Sequence, residues 1–136
     1  MSKVAVVYYS SSGNTEAMAD VIVGAIGADK IEAGDFSAAK VAEYDAIAFG
    51  CPAMGDEVLE ETVFQPMWDD VKGALAGKKV AFFGSYGWGD GQWMRDWEAD
   101  ADAAGIARAA DSVICNEAPD EEALASCRAL GAILAE

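Results

Sequence analysis

Hydroxyl side chains crowd one short stretch, Ser10-Ser11-Ser12-Gly13-Asn14-Thr15, between an apolar run and a helical pattern. The first N–H groups of a helix have no partner within it and sit at the positive end of its dipole, so such a loop can cradle an anion. The stretch contains no Lys or Arg, so neutral donors would hold that anion. It has neither the Lys of a P-loop nor the spacing of a dinucleotide-binding glycine motif. Taken alone, an ordinary serine-rich helix cap also explains it. A second stretch, Cys51-Pro52-Ala53-Met54-Gly55-Asp56-Glu57, offers a polarizable thioether that suits an aromatic face and a glycine open to unusual backbone conformations. A gap-filling Met beside a turn glycine explains it equally well. The third, Gly84-Ser85-Tyr86-Gly87-Trp88-Gly89-Asp90-Gly91-Gln92-Trp93, packs four glycines, two tryptophans and a tyrosine into ten residues. Glycine lets backbone approach a ligand and a loop aromatic offers a stacking face. Trp93 and Trp97, four apart, read as helix packing, whereas Trp88 between two glycines is free to stack. The three loops together suit a flat aromatic ring with a single phosphate tail.

Other chemistry is removed by what the chain lacks. It has no histidine, which excludes Ser-His-Asp triads, His-ligated zinc and imidazole proton shuttles. The three cysteines, Cys51, Cys115 and Cys127, are widely spaced with no Cys-x-x-Cys, which argues against a disulfide scaffold, an iron–sulfur ligand set or a dithiol redox pair. Cys51 reads as a packed thiol and Cys127 as part of a helix stripe. The formal net charge of −15 repels phosphate backbones and anionic lipid, so neither nucleic acid nor membrane is an expected partner, and no metal site is expected. The N-terminus enters an apolar run without a charged leader, and no apolar stretch is long enough to span a bilayer, so a cytoplasmic address is expected.

These loops need a scaffold that brings them to one edge. A length of 136 residues, 53% of them hydrophobic and 24% charged, describes one globular domain over 1–136. Four short apolar runs, Val4 to Tyr9, Ala46 to Phe49, Val80 to Phe83 and Ser112 to Cys115, read as strands covered on both faces, with a weaker fifth at Asp29 to Glu32. Helical periodicity runs from Asn14 to a stop at Gly27, then from Leu59 to Leu75, Gly91 to Ala104 and Asp120 to Leu134, with a short helix between Phe36 and Ala42. This alternation predicts an α/β fold, a doubly wound parallel sheet sandwiched by helices, whose ligand sits outside the carboxyl ends of the strands.

The chain resembles the flavodoxins, in particular the short-chain type of anaerobic bacteria, over essentially its whole length. The resemblance is carried by Tyr9-Ser10-Ser11-Ser12-Gly13-Asn14-Thr15-Glu16, Gly50-Cys51-Pro52-Ala53-Met54-Gly55-Asp56-Glu57 and Phe83-Gly84-Ser85-Tyr86-Gly87-Trp88-Gly89-Asp90-Gly91, in order and at matching spacing. The first loop departs from the usual Ser-Gly-Thr-Gly-Asn-Thr in having Ser11 and Ser12, so Ser11 must adopt whatever geometry the glycine had. The resemblance implies a five-stranded sheet of order 2-1-3-4-5 and a low-potential one-electron carrier with non-covalently bound FMN, working in place of ferredoxin. It implies phosphate binding by Ser10, Ser12, Asn14, Thr15 and Ser85, with Met54 on the inner face of the isoalloxazine and Trp88 on the outer. It also implies that Glu57 accepts from the flavin N3–H and that the Gly55 peptide flips its carbonyl toward N5–H of the neutral semiquinone.

Physical chemistry agrees with that assignment. The second electron would arrive beside a phosphate dianion, Asp56, Glu57 and Asp90, with no nearby cation evident in the sequence. One unit charge at ~10 Å and an effective dielectric constant of ~20 is worth about 1.7 kcal/mol, or roughly 70 mV on a one-electron couple. A quinone or flavin reductase of the same fold would need room over the flavin where Trp88 is expected. A phospho-acceptor signalling domain would need paired acids after the first strand, where this chain has serines. Asp56, Glu57, Glu60, Glu61, Asp69 and Asp70 precede any base up to Lys72 and suggest an acidic face. The expected partners are ferredoxin-type redox enzymes and reductases that dock through basic patches on a monomeric carrier.

Overall fold

A computed structural model describes residues 3–55, 57–87 and 89–136. Five strands, β1 (Val4–Tyr8), β2 (Asp29–Glu32), β3 (Ala46–Gly50), β4 (Lys79–Tyr86) and β5 (Val113–Asn116), form one parallel sheet of order β2-β1-β3-β4-β5. The helices are α1 (Asn14–Ile26), α2 (Ala38–Val41), α3 (Phe64–Val71), α4 (Gln92–Ala103) and α5 (Glu121–Ala135). The expected doubly wound sandwich and its strand order are both observed. No helix among the described residues is long and apolar enough to cross a membrane.

Alternation along each strand sends neighbouring side chains to opposite faces of the sheet. Val7, Phe49 and Phe82 face a core completed by Phe64, Trp68 and Trp97, with Phe82 stacked on Trp97 at 4.1 Å between ring centroids. Val6, Ala48, Ala81 and Phe83 face the other core, with Met18 and Ile22 from α1 and Cys127 and Leu130 from α5. Trp93 and Trp97 are buried, as helix packing predicted, and Cys51 and Cys127 are buried thiols. Burial pushes the Cys51 thiol up to about 12, so it is protonated and inert near neutral pH.

The helix ends show why some boundaries were legible. Gly27 takes φ +71° and its N–H closes α1 on the Val23 carbonyl at 2.8 Å. Asp120 caps α5, its carboxylate accepting from Ala123 N at 2.8 Å. Three expectations need correction. The helix expected from Leu59 starts at Phe64, because the Glu60 carboxylate takes the N–H groups of Thr62, Val63 and Phe64 and holds the preceding residues in turns. β4 continues through Gly84, Ser85 and Tyr86, residues read as loop, because β5 pairs with that later half. The run at Ser112 to Cys115 forms an edge strand rather than a doubly covered one, and Ile114 remains exposed.

Candidate functional site

The ends of β1, β3 and β4 meet at one edge because two glycines let them. A Cβ on Gly50 would lie 2.2 Å from the Phe83 ring, and one on Gly84 would lie 2.2 Å from the Cys51 carbonyl oxygen. That close approach lets Tyr9 N donate to Gly50 O at 2.9 Å and Ala53 N donate to Ser85 O at 3.0 Å. All three predicted loops therefore start from one hydrogen-bonded edge, at the strand-order reversal between β1 and β3.

The first loop closes onto α1 through Ser10, whose hydroxyl oxygen accepts from Gly13 N at 3.1 Å and Glu16 N at 3.2 Å. Gly13 takes φ +93° as the residue before the helix. The N–H groups of Ser11, Ser12, Asn14 and Thr15 have no acceptor among the described residues. Ser11 lies outside the left-handed region, so it occupies the usual glycine position without that strain. Its hydroxyl points toward the Met54 sulfur at 4.0 Å, linking the first loop to the second. Thr15 is buried, and its hydroxyl oxygen accepts from Ser85 N at 3.3 Å.

The second loop is a tight hairpin in which Met54 and Val58 exchange backbone hydrogen bonds at 2.9 and 3.0 Å. Gly55 sits at its exposed tip with φ +50°, and Glu57 also takes a left-handed conformation at φ +58°. Asp56 lies outside the described residues. The Glu57 carboxylate reaches the third loop, where its Oε1 accepts from Gly91 N at 3.2 Å and Gln92 N at 2.9 Å at the head of α4. Gly89 makes room for it, since a Cβ there would lie 2.3 Å from that carboxyl carbon. Oε2 of Glu57 has no described partner and remains free to accept.

In the third loop, Tyr86 packs against Trp93 with ring centroids 5.5 Å apart. Trp88 lies outside the described residues. Asp90 is paired with Arg95 at 2.8 Å, which corrects the expectation that no cation stands near the acids of this edge. The pair is exposed and offsets little of the field. The acidic face is also thinner than it reads. Glu60 is buried at 5% exposure, and Asp69 pairs with Lys72 at 3.4 Å.

A cleft of about 250 Å³ opens between these elements, lined by Ser11, Ser12, Asn14, Pro52, Ala53, Ser85, Tyr86, Gly87 and Glu117. It brings the first loop, the start of the second and the start of the third together. Ser10, Gly13, Thr15, Met54, Gly55, Glu57, Gly89, Asp90 and Gly91 lie outside this lining. Glu117 joins the lining from the loop after β5, which ends at the same carboxyl edge, although nothing in its local sequence distinguishes it from other loop acids. The donor chemistry fits a phosphate bound without a cation: unpaired N–H groups at the head of a helix, hydroxyls around them, and no Lys or Arg in the lining.

Comparison with known proteins follows the same lines. A sequence model of the family described as flavodoxin matches residues 6–131. The flavodoxin of Clostridium beijerinckii is 44% identical over 121 residues, covering 85% of this chain and 88% of its own. That of Megasphaera elsdenii is 44% identical over 133 residues, covering 94% of this chain and 95% of its own. Among solved structures, two-electron reduced Megasphaera elsdenii flavodoxin superposes with a TM-score of 0.88 at 41% identity, over 97% of this chain and 98% of that one. Oxidised flavodoxin 1 from Bacillus cereus gives 0.83 at 29% identity, over 97% and 96%.

Proposed function

This chain belongs to the flavodoxin family and is an FMN-binding electron-transfer protein rather than an enzyme, and on that premise we propose how its residues divide the work. One-electron exchange at low potential is the chemistry that a bound FMN supplies. The observation that carries the residue assignment is the set of unpaired N–H groups at the head of α1, opening into a cleft without a cation. Ser11, Ser12, Asn14 and Thr15 donate these N–H groups to the phosphate, and the hydroxyls of Ser10, Ser12 and Thr15 complete the cradle. Ser85, read from the sequence as a phosphate ligand, spends its one hydroxyl proton on the Glu117 carbonyl and only borders the cleft. Pro52, Ala53, Tyr86 and Gly87 wall the cleft and exclude water. Met54 and Trp88 cover the two ring faces, while Gly13, Gly89, Asp90 and Gly91 shape the backbone around them. Glu57, fixed through Oε1 by the head of α4, accepts at Oε2 from the flavin N3–H.

Gly55 tunes the potentials through its backbone. Its φ of +50° is open to glycine, while a β-branched residue there is strained by ~1–2 kcal/mol. Space is not the obstacle, since an added Cβ would meet nothing within 4 Å. Borne by the one-electron-reduced state alone, that strain moves the two one-electron potentials in opposite directions by ~40–90 mV each, so Gly55→Thr is expected to narrow the gap between them by ~90–170 mV. Potentiometric titration of both proteins measures this, and an unchanged gap would remove the Gly55 backbone from the tuning.

The family implies redox partner proteins. In our reading the monomer works in the cytoplasm and docks transiently on ferredoxin-type enzymes and reductases through their basic patches, steered by a net charge of −15. Salt shortens the screening length from about 30 Å at 0.01 M to about 10 Å at 0.1 M. Electron transfer to a ferredoxin-dependent reductase should slow as salt rises. Glu61→Lys, at an exposed position outside the cleft, should slow it at low salt while leaving the FMN spectrum intact. Stopped-flow rates indifferent to both changes would reduce the acidic face to a solvated surface. The carrier reading itself is tested by the visible spectrum of the purified protein and by titration of its apoprotein with FMN. A colourless protein that rejects FMN would overturn it.

A further inference from the structure

Glu117, an exposed residue, is the one acid among the residues that line this cleft, which are otherwise neutral. Its backbone cannot easily carry that charge away. Among the described non-glycine residues only Glu57 and Glu117 occupy positive φ, and Glu117 does so at +57°. Three contacts hold this conformation: Glu117 N donates to Tyr86 O at 2.7 Å, and Glu117 O accepts from the Ser85 hydroxyl at 2.6 Å and the Cys115 thiol at 3.6 Å. Next to it, the Asn116 side chain donates to the carbonyls of Tyr86 and Gly87 at 3.3 and 3.5 Å. A left-handed glutamate pinned from both sides is an over-determined position of the kind found at ligand clamps. Its carboxylate has no hydrogen-bond or ion-pair partner among the described residues, so nothing neutralises it.

Scale decides whether a phosphate in the cleft feels this charge. A volume of about 250 Å³ corresponds to a space roughly 8 Å across, close to the Debye length at physiological salt. Charges at opposite ends of it lie within about one screening length, so they still interact at low salt, and added salt weakens the interaction. The attraction offered to phosphate comes from neutral N–H and hydroxyl donors, which act only at contact distance. The repulsion from Glu117 is long-ranged and salt-sensitive, so the two can be separated by experiment.

We propose that Glu117 sets how strongly this chain discriminates FMN from riboflavin, its carboxylate opposing the phosphate that the first loop attracts. The proposal rests on the FMN reading above. Glu117→Gln keeps the size and the backbone demand but removes the charge. It should tighten FMN by about fivefold or more at 0.01 M salt, with the advantage fading at high salt, and leave riboflavin affinity unchanged. Glu117→Asn, which tolerates the left-handed backbone better, should shift FMN in the same direction. Glu122→Gln is the control: it removes an exposed charge on α5, outside the cleft lining, and should leave FMN affinity unchanged. Apoprotein titrated with FMN and with riboflavin, followed by flavin fluorescence, gives all the affinities. Equal tightening by Glu117→Gln and Glu122→Gln would assign the effect to net charge and overturn the proposal. So would a parallel loss of FMN and riboflavin, which would make the side chain structural. If the unmodified chain binds no FMN, the cofactor assignment fails instead.

Discussion

Riboflavin should bind the apoprotein at least about a hundredfold more weakly than FMN, even against the opposition of Glu117. The two ligands share ring and ribityl chain, so the difference isolates the phosphate and whatever holds it. At the head of α1 the N–H groups of Ser11, Ser12, Asn14 and Thr15 find no acceptor within the described protein. A hydrogen bond to a charged group contributes about 1.5–3 kcal/mol net, so two such bonds at the low end already give a hundredfold. The α1 dipole adds some 0.3–1 kcal/mol for an anion at its N-terminus. Parallel fluorescence titrations measure the ratio. Affinities within about threefold of each other would show that these donors point at solvent and that the first loop is only a cap.

Much of this was readable from residue types because each feature is decided locally. Gly27 ends α1 since the left-handed conformation that closes the helix favours glycine. The burial of Trp93 and Trp97 follows from their spacing on one helix face. Strand order came from family resemblance, since alternation of strands and helices alone does not fix it. What escaped reading depends on distant partners. The extension of β4 through Tyr86 needs β5 beside it, some thirty residues on in the chain at Val113–Asn116. Glu117 looks like any loop acid until its carbonyl is seen under the Ser85 hydroxyl. The Asp90–Arg95 pair is five residues apart in sequence, yet forms only because Gly91 turns the chain into α4 at φ +96°. Composition likewise gives the number of acids but not their duties, as Glu60 shows.

Glu60→Ala should cost the chain about 2 kcal/mol of stability. The sequence offers Glu60 as one acid in a solvated run, but the side chain is 5% exposed and turned inward. Its Oε1 accepts from Val63 N at 2.7 Å and Phe64 N at 2.8 Å, while Oε2 accepts from Thr62 N at 2.8 Å and from the Thr62 hydroxyl. These are the N–H groups at the entry to α3, which no helical carbonyl can reach. Thr62 and Val63 are exposed, so water can reach their N–H groups once the carboxylate is gone, whereas Phe64 is buried and its stranded N–H costs about 1–3 kcal/mol. The same geometry gives a pH signature. Burial works to raise the carboxyl's pKa, but the hydrogen bonds from Thr62, Phe64 and Val63 outweigh it and hold the group below its ordinary value of 4.5. A depressed folded-state pKa means that the stabilisation is complete above the unfolded value and is lost as pH falls through the folded one. Urea midpoints should therefore separate unmodified protein from Glu60→Ala fully at pH 7 and progressively less below about pH 4.5. Glu60→Gln, which keeps one carbonyl acceptor, should fall between them and lose the pH dependence of the gap. A Glu60→Ala protein as stable as its parent at pH 7 would mean that water replaces the carboxylate at the head of α3. The turn before α3, and with it the hairpin that carries Met54 and Gly55, would then be held by packing alone.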